Sequence, residues 1–321
     1  MHRAALALLM ASLFGSPLAK GEEMRYSKRT YTYKRVGDCQ IKVDVYRKPG
    51  DAVRPAVLWI HGGALIMGQR GSVPRDQLER YLDAGFALVS IDYRLAPETK
   101  LAGIIEDLQD AYEWLRFAGP RLLQIDPDRV GVVGHSAGGY LTLMAGFCLT
   151  PRPKALVAFY GYGDIAGEWY SRPDPFYNRQ PAVPKEEACK AVGGPALSEA
   201  SGPNQRFRFY LYCRQQGLWP KEVTGHDPDT EPRAFDPFCP LRNVTKDYPP
   251  TMLLHGDHDT DVPYQQSVLM AEALKRNGVE HQFITVKNGG HGFDGANEGL
   301  KDPANAERFE RVLDFLKRHM K

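Results

Sequence analysis

Gly134-His135-Ser136-Ala137-Gly138-Gly139, near the middle of the 321-residue chain, is the stretch whose reading decides the fold. Upstream, Arg129-Val130-Gly131-Val132-Val133 is apolar and β-branched and follows the turn signal Asp126-Pro127-Asp128, the pattern of a short buried strand. Downstream, Tyr140-Leu141-Thr142-Leu143-Met144-Ala145 opens an apolar helix. A serine between strand and helix, with glycine two before and two after it, fits the nucleophile elbow G-x-S-x-G. Its glycines relieve a strained turn whose flanking backbones pass close together. The helix that follows points its positive dipole end at the serine. Alone, the pentapeptide also fits an ordinary glycine-rich turn. An acid, a base and an oxyanion hole elsewhere in the chain separate the two readings.

Working outward, 30–34 and 40–46 alternate with period two around Gly37-Asp38 and predict a hairpin. Continuous apolar runs at 55–60 and 86–91 predict strands buried on both faces. Ile104, Leu108, Ala111 and Leu115 fall on one stripe of a helix over 104–117. Another strand is predicted at 154–159. Regularity resumes with strands at 250–255 and 281–286 and helices at 263–276 and 304–319; Gly278 stands just past the first of these helices. Strands alternating with helices predict an α/β fold: a mostly parallel, doubly wound sheet with an N-terminal hairpin, its functional residues at the carboxyl ends of strands.

Between 162 and 247 this order fails. The region is rich in Pro, Gly and charge, yet thick with aromatics, among them Trp169, Tyr170, Phe207, Tyr210 and Trp219. A structureless loop of that length would argue against the assignment. An inserted cap over the site explains it, with a helix at 204–216; no linker flanks it, as an independent domain would require. Its aromatics either stack on a sugar or phenyl group of a substrate or form the cap's own small core.

The chemistry-bearing residues follow in the order Ser136, Asp259, His291, each just past a predicted strand. In this constellation Ser136 is the nucleophile, His291 its general base, and a carboxylate fixes the imidazole tautomer, because a serine hydroxyl is a poor nucleophile unaided. Asp257, Asp259 and Asp261 share the loop that supplies the carboxylate. Alternating carboxylates also suggest calcium, but the loop lacks the glycine and terminal glutamate of an EF-hand, so no metal is expected. Gly62 and Gly63 after the 55–60 strand, with the amide of Ala137, are the expected oxyanion hole. His61 shapes its own glycine loop, and His135, His255 and His258 are structural or supporting.

Apolar residues make up 43% and charged residues 25% of the chain, the balance of a globular protein with a sizeable core. A net charge of +2 argues against a dedicated nucleic-acid binder, which normally carries a basic stripe. His2-Arg3, the apolar run 4–14 and the small residues after it predict a secretory signal peptide over 1–21, ahead of one domain spanning 22–321. The run is shorter than the roughly 20 residues that span a bilayer, so no stable membrane insertion is expected. Five cysteines, at 39, 148, 189, 213 and 239, leave at least one thiol free, and an oxidising compartment permits a pair among Cys189, Cys213 and Cys239 that staples the cap, with the sequence selecting no pair.

Together, His61-Gly62-Gly63, the run 92–98, Gly134-His135-Ser136-Ala137-Gly138-Gly139, His255-Gly256-Asp257-His258-Asp259 and His291-Gly292-Phe293 resemble the α/β-hydrolase esterase/lipase group. The nearest branches are the hormone-sensitive-lipase-like and bacterial carbohydrate-ester-type esterases, and the resemblance covers residues 40 to 320 outside the cap. It implies the α/β-hydrolase fold, no cofactor, and, through the family's His-Gly-x-x-Asp pattern, Asp259 as the acid. Two positions depart from the lipase-like branch: Ala64 stands where a further glycine is usual, and His135 where an acidic residue precedes the serine. The expected activity is a secreted or periplasmic serine carboxylic-ester hydrolase working through an acyl-enzyme on a small-molecule or oligosaccharide ester, short-chain or carbohydrate-linked. The competing expectations are a prolyl-oligopeptidase-type serine peptidase, for whose propeller the chain has no room, and a non-catalytic binding relative, which would lack a triad member.

Overall fold

The computed structural model describes residues 26–200, 205–295 and 299–321, so the signal-peptide expectation for 1–21 lies outside the described residues. Eight strands form one sheet in the order β1-β2-β4-β3-β5-β6-β7-β8. β1 (Ser27–Val36) and β2 (Cys39–Arg47) are the expected hairpin, turning through Gly37, and β2 pairs antiparallel with β4 (Ala87–Ile91). The pairings linking β4, β3 (Arg54–Ile60), β5 (Ile125–His135), β6 (Ala155–Phe159), β7 (Thr251–Gly256) and β8 (His281–Val286) are all parallel. This is the fold class the sequence predicts.

Period-two alternation sends side chains to both faces of the sheet. Leu58, Val89, Val132 and Leu156 join one apolar layer, beneath α2 (Leu101–Ala118), α3 (Ala137–Cys148) and α8 (Gln265–Arg276). Trp59, Leu88, Val133 and Val157 join the other, beneath α1 (Arg75–Asp83) and α9 (Pro303–His319). Asp302 caps α9 by accepting from the amides of Ala304 and Asn305.

Two local expectations change. Asp126-Pro127-Asp128 does not precede the elbow strand but lies inside β5, where the register to β3 slips between Arg54 and Ala56 and the extra residues bulge out. Helix α1 has no counterpart in the sequence reading: it follows Pro74, and only Gln77, Leu78, Tyr81 and Leu82 are buried along it.

Between β6 and β7 the chain forms short helices, α4 (Glu168–Ser171), α5 (Lys185–Ala188), the longer α6 (Gln205–Gln216) and α7 (Trp219–Thr224), joined by 3-10 turns. Tyr162, Tyr170, Trp219 and Phe235 from this segment are fully buried and belong to the same apolar layer as α2 and α3. The segment therefore has no core separate from the sheet's. Tyr170 stacks on Trp169 at 3.8 Å and on Trp219 at 4.0 Å, so these rings serve packing rather than ligand stacking. All five cysteines are free, with Cys213 and Cys239 buried, so no pair among Cys189, Cys213 and Cys239 is joined.

Candidate active site

The turn from β5 into α3 holds Ser136 at φ 56° and ψ −118°, a conformation that a residue with a side chain adopts only under constraint. Its amide donates to Phe159 O at 2.9 Å, and its carbonyl accepts from Tyr140 N at 2.9 Å. Gly138 is forced by crowding, because a Cβ there would sit 2.1 Å from Ile60 O. The serine is thus lifted off the carboxyl edge of the sheet.

His291, after β8, places Nε2 3.0 Å from Ser136 Oγ and Nδ1 2.8 Å from Asp259 Oδ2. The Tyr160 ring meets the imidazole edge-on at 4.6 Å and limits its rotation. Asp259, after β7, has a fully buried side chain; its Oδ1 accepts from the amides of Asp261 at 2.8 Å and Val262 at 2.9 Å. His255 Nε2 lies 3.3 Å from Asp259 Oδ2 and 3.0 Å from Val262 O, while its Nδ1 is anchored on Ser267 Oγ at 2.7 Å. Burial alone would raise the Asp259 pKa. The bonds from His255 and His291 and the amide of Val262 outweigh it and hold the carboxyl well below the usual carboxylate range. Burial depresses His291, but bonding to Asp259 and the charges of Asp261 and Asp259 prevail and raise it.

The three aspartates of the loop divide. Asp257 turns to the surface, paired with Lys287 at 3.0 Å and accepting from Asn288 N at 2.6 Å. Asp259 faces His291. Asp261 faces the pocket and is bound by Tyr177, Tyr210 and Arg214. No group of three or more potential metal-binding side chains occurs among the described residues.

Gly62 and Gly63 run directly beside the serine: a Cβ on Gly62 would stand 2.8 Å from His135 O and 3.2 Å from Ser136 Cβ. Gly63 has φ 108°, and its carbonyl accepts from the amides of Ile66 and Met67, which folds the loop back. Gly62 and Gly63 line the cavity over Ser136, and Ala137, the first residue of α3, follows the serine directly. His61 sits beneath, its Nδ1 2.7 Å from Gly62 O and its ring stacked on Tyr93 at 4.2 Å; burial lowers its pKa to about 4, so it is a neutral scaffold.

Both departures from the lipase-like pattern have physical partners. Ala64 holds φ 55°, and its carbonyl accepts from Trp219 Nε1 at 2.9 Å, tying the loop to the segment above it. His135 Nε2 lies 3.0 Å from Asp294 Oδ2, and Asp294 also accepts from Tyr160 OH at 2.7 Å and Gln77 Nε2 at 2.6 Å. These bonds and the His135 charge overcome desolvation and hold the Asp294 pKa down at about 2. Sequence reasoning missed Asp294, three residues beyond His291, and Gln77 on the unforeseen α1.

A cavity of about 300 Å³ opens over Ser136 and His291, lined by Met67, Tyr177, Phe207, Tyr210 and Asp261 among others. A cavity of that size accommodates a small molecule beside the serine. The arrangement can move a proton from Ser136 to His291 while Asp259 holds the tautomer.

Residues 57–295 match the alpha/beta hydrolase fold family. A non-reducing polyketide synthase of Penicillium rubens is 29% identical over 98% of this chain, which spans only 14% of that protein's length. The carboxyl esterase 2 structure of Tuber melanosporum superposes with a TM-score of 0.67 at 21% identity, covering 97% of this chain and 95% of that one. A thermophilic esterase of Thermogutta terrifontis gives 0.63 at 21% identity, over 89% and 91% of the two chains. At such identities the structural likeness shows the shared fold. With the family match across most of the sequence, the chain belongs to the α/β-hydrolase fold family.

Proposed function

We propose that this protein is a serine carboxylic-ester hydrolase acting through an acyl-enzyme, exported by its N-terminal segment to work outside the cytoplasm. The observation that carries the reading is the continuous chain from Ser136 Oγ through His291 to Asp259, at 3.0 and 2.8 Å. Oγ attacks the ester carbonyl while His291 Nε2 takes its proton. The amides of Gly62, Gly63 and Ala137 receive the developing oxyanion, a contribution of about 10²–10³ in rate per donor. Collapse expels the alcohol, which takes the proton back from His291. A water then repeats the attack on the acyl carbon and releases Ser136. Asp259 stays ionised and orients the ring throughout.

The relatives named as esterases support an ester as the substrate, and the small pocket supports a short acyl or alcohol portion. The test is hydrolysis of p-nitrophenyl acetate, butyrate and octanoate, with a p-nitroanilide for comparison. The reading expects acetate or butyrate to be preferred and the anilide to be refractory. A preference for the anilide would favour the peptidase reading instead.

A further inference from the structure

The pocket over Ser136 is apolar on most sides, but one corner carries a carboxylate that the ester chemistry does not use. Asp261 Oδ1 accepts from Tyr177 OH at 2.8 Å, from Tyr210 OH and from Arg214 Nη1 at 2.9 Å. Arg214 comes from α6, is 1% exposed, and also binds Tyr210 OH at 2.8 Å, Asp261 O at 2.9 Å and the carboxylate of Asp174. The Tyr170 and Tyr177 rings each lie 4.9 Å from its guanidinium. One cation thus faces two carboxylates, and the cluster keeps an excess negative charge.

Converging donors hold Asp261 in one orientation, and they all take the same oxygen. The other, Oδ2, lies 3.5 Å from His291 Nε2, the atom that also meets Ser136 Oγ at 3.0 Å. In the reaction proposed above, the leaving alcohol must reach Nε2 to collect its proton. A group 3.5 Å from that atom therefore stands beside the alcohol portion of the ester rather than the acyl portion.

Resting on the ester-hydrolase reading, we infer that Asp261 is a specificity-determining residue that selects esters whose alcohol portion carries a hydroxyl next to the scissile oxygen, as in a diol, polyol or sugar. The two oxygens of a vicinal diol are separated by about one hydrogen-bond length. One can sit at His291 Nε2 while the neighbouring hydroxyl donates to Asp261 Oδ2. A hydrogen bond to a charged acceptor in an apolar pocket discriminates strongly against an analogue that lacks the donor. The same excess charge rejects an anionic alcohol portion.

The test compares four acetates that differ at one position: 2-hydroxyethyl acetate, propyl acetate, 3-acetoxypropionate and 2-(dimethylamino)ethyl acetate. For wild type, kcat/KM should favour the hydroxyethyl ester over the propyl ester by roughly tenfold or more, mainly through KM, with the anionic ester poorest. Asp261→Val and the isosteric Asp261→Asn should both erode that ratio, Asp261→Val to about unity. The wild-type ratios decide the matter even if a variant fails to fold. Equal rates on the hydroxyethyl and propyl esters overturn the assignment and leave the ester-hydrolase reading standing. Preference for the amino ester over the hydroxyethyl ester overturns the hydroxyl as the recognised group. No turnover of any acetate overturns both readings.

Discussion

Ser136 Oγ and His291 Nε2 lie 3.0 Å apart although 155 residues separate them in sequence. The sheet closes that distance. β5 and β8 run in the same direction, so the turn after one and the loop after the other emerge at the same edge. Asp259, after β7, sits between them on the same edge. A parallel sheet thereby converts three local strand ends into one site.

Asp259→Asn should leave the fold intact and lower kcat by about 10³–10⁴ on p-nitrophenyl acetate, because the amide cannot hold the imidazole in the tautomer that leaves Nε2 free to accept. Steady-state kinetics beside a circular-dichroism spectrum checks this. A loss below tenfold would mean that the His291–Asp259 bond does not orient the base.

The pH dependence follows from His291. The proposed reaction needs its neutral form, and its pKa is raised: desolvation opposes the shift, while bonding to Asp259 and the charges of Asp261 and Asp259 exceed it. The acidic limb of kcat/KM should therefore lie above the ordinary imidazole value of about 6.5. Asp261→Asn removes a negative charge that favours the imidazolium, so the limb should move to lower pH. A limb unmoved or displaced upward in that variant would contradict the assigned electrostatics.

Arg214 anchors the segment above the pocket. Its replacement by Met leaves Asp174 and Asp261 without their buried cation and removes its contacts with four aromatic rings. Breaking a buried pair from one side costs about 3–5 kcal/mol, and urea denaturation of Arg214→Met should show a loss of that order. A change under about 1 kcal/mol, the range of exposed pairs, would show that the network is not holding the segment down.

What the sequence revealed and what it hid divide by range. The elbow, the glycine loop at 61–64 and the strands beside them are legible because each rests on neighbours in the chain: apolar runs, turn residues, and glycines where a Cβ collides with backbone. Asp259 was separable from Asp257 and Asp261 only by its family pattern, since all three share one loop and differ in the direction they face. The Arg214–Asp261 pair joins α6 to that loop across 47 residues, and His135–Asp294 joins the elbow to the segment after β8; neither partner carries a local signal. Helix α1 was hidden because its polar residues outnumber the few apolar ones that touch the sheet. The suggested cysteine staple rested on shared location alone, and the thiols are free.

The most direct test of the central claim is intact-protein mass spectrometry after treatment with a fluorophosphonate, which phosphonylates an activated serine and releases fluoride. The account predicts a single adduct on wild type, mapped to the peptide containing Ser136, no adduct on a folded Ser136→Ala, and strongly slowed labelling of His291→Ala. An adduct of equal yield on Ser136→Ala, or none on wild type, would contradict it.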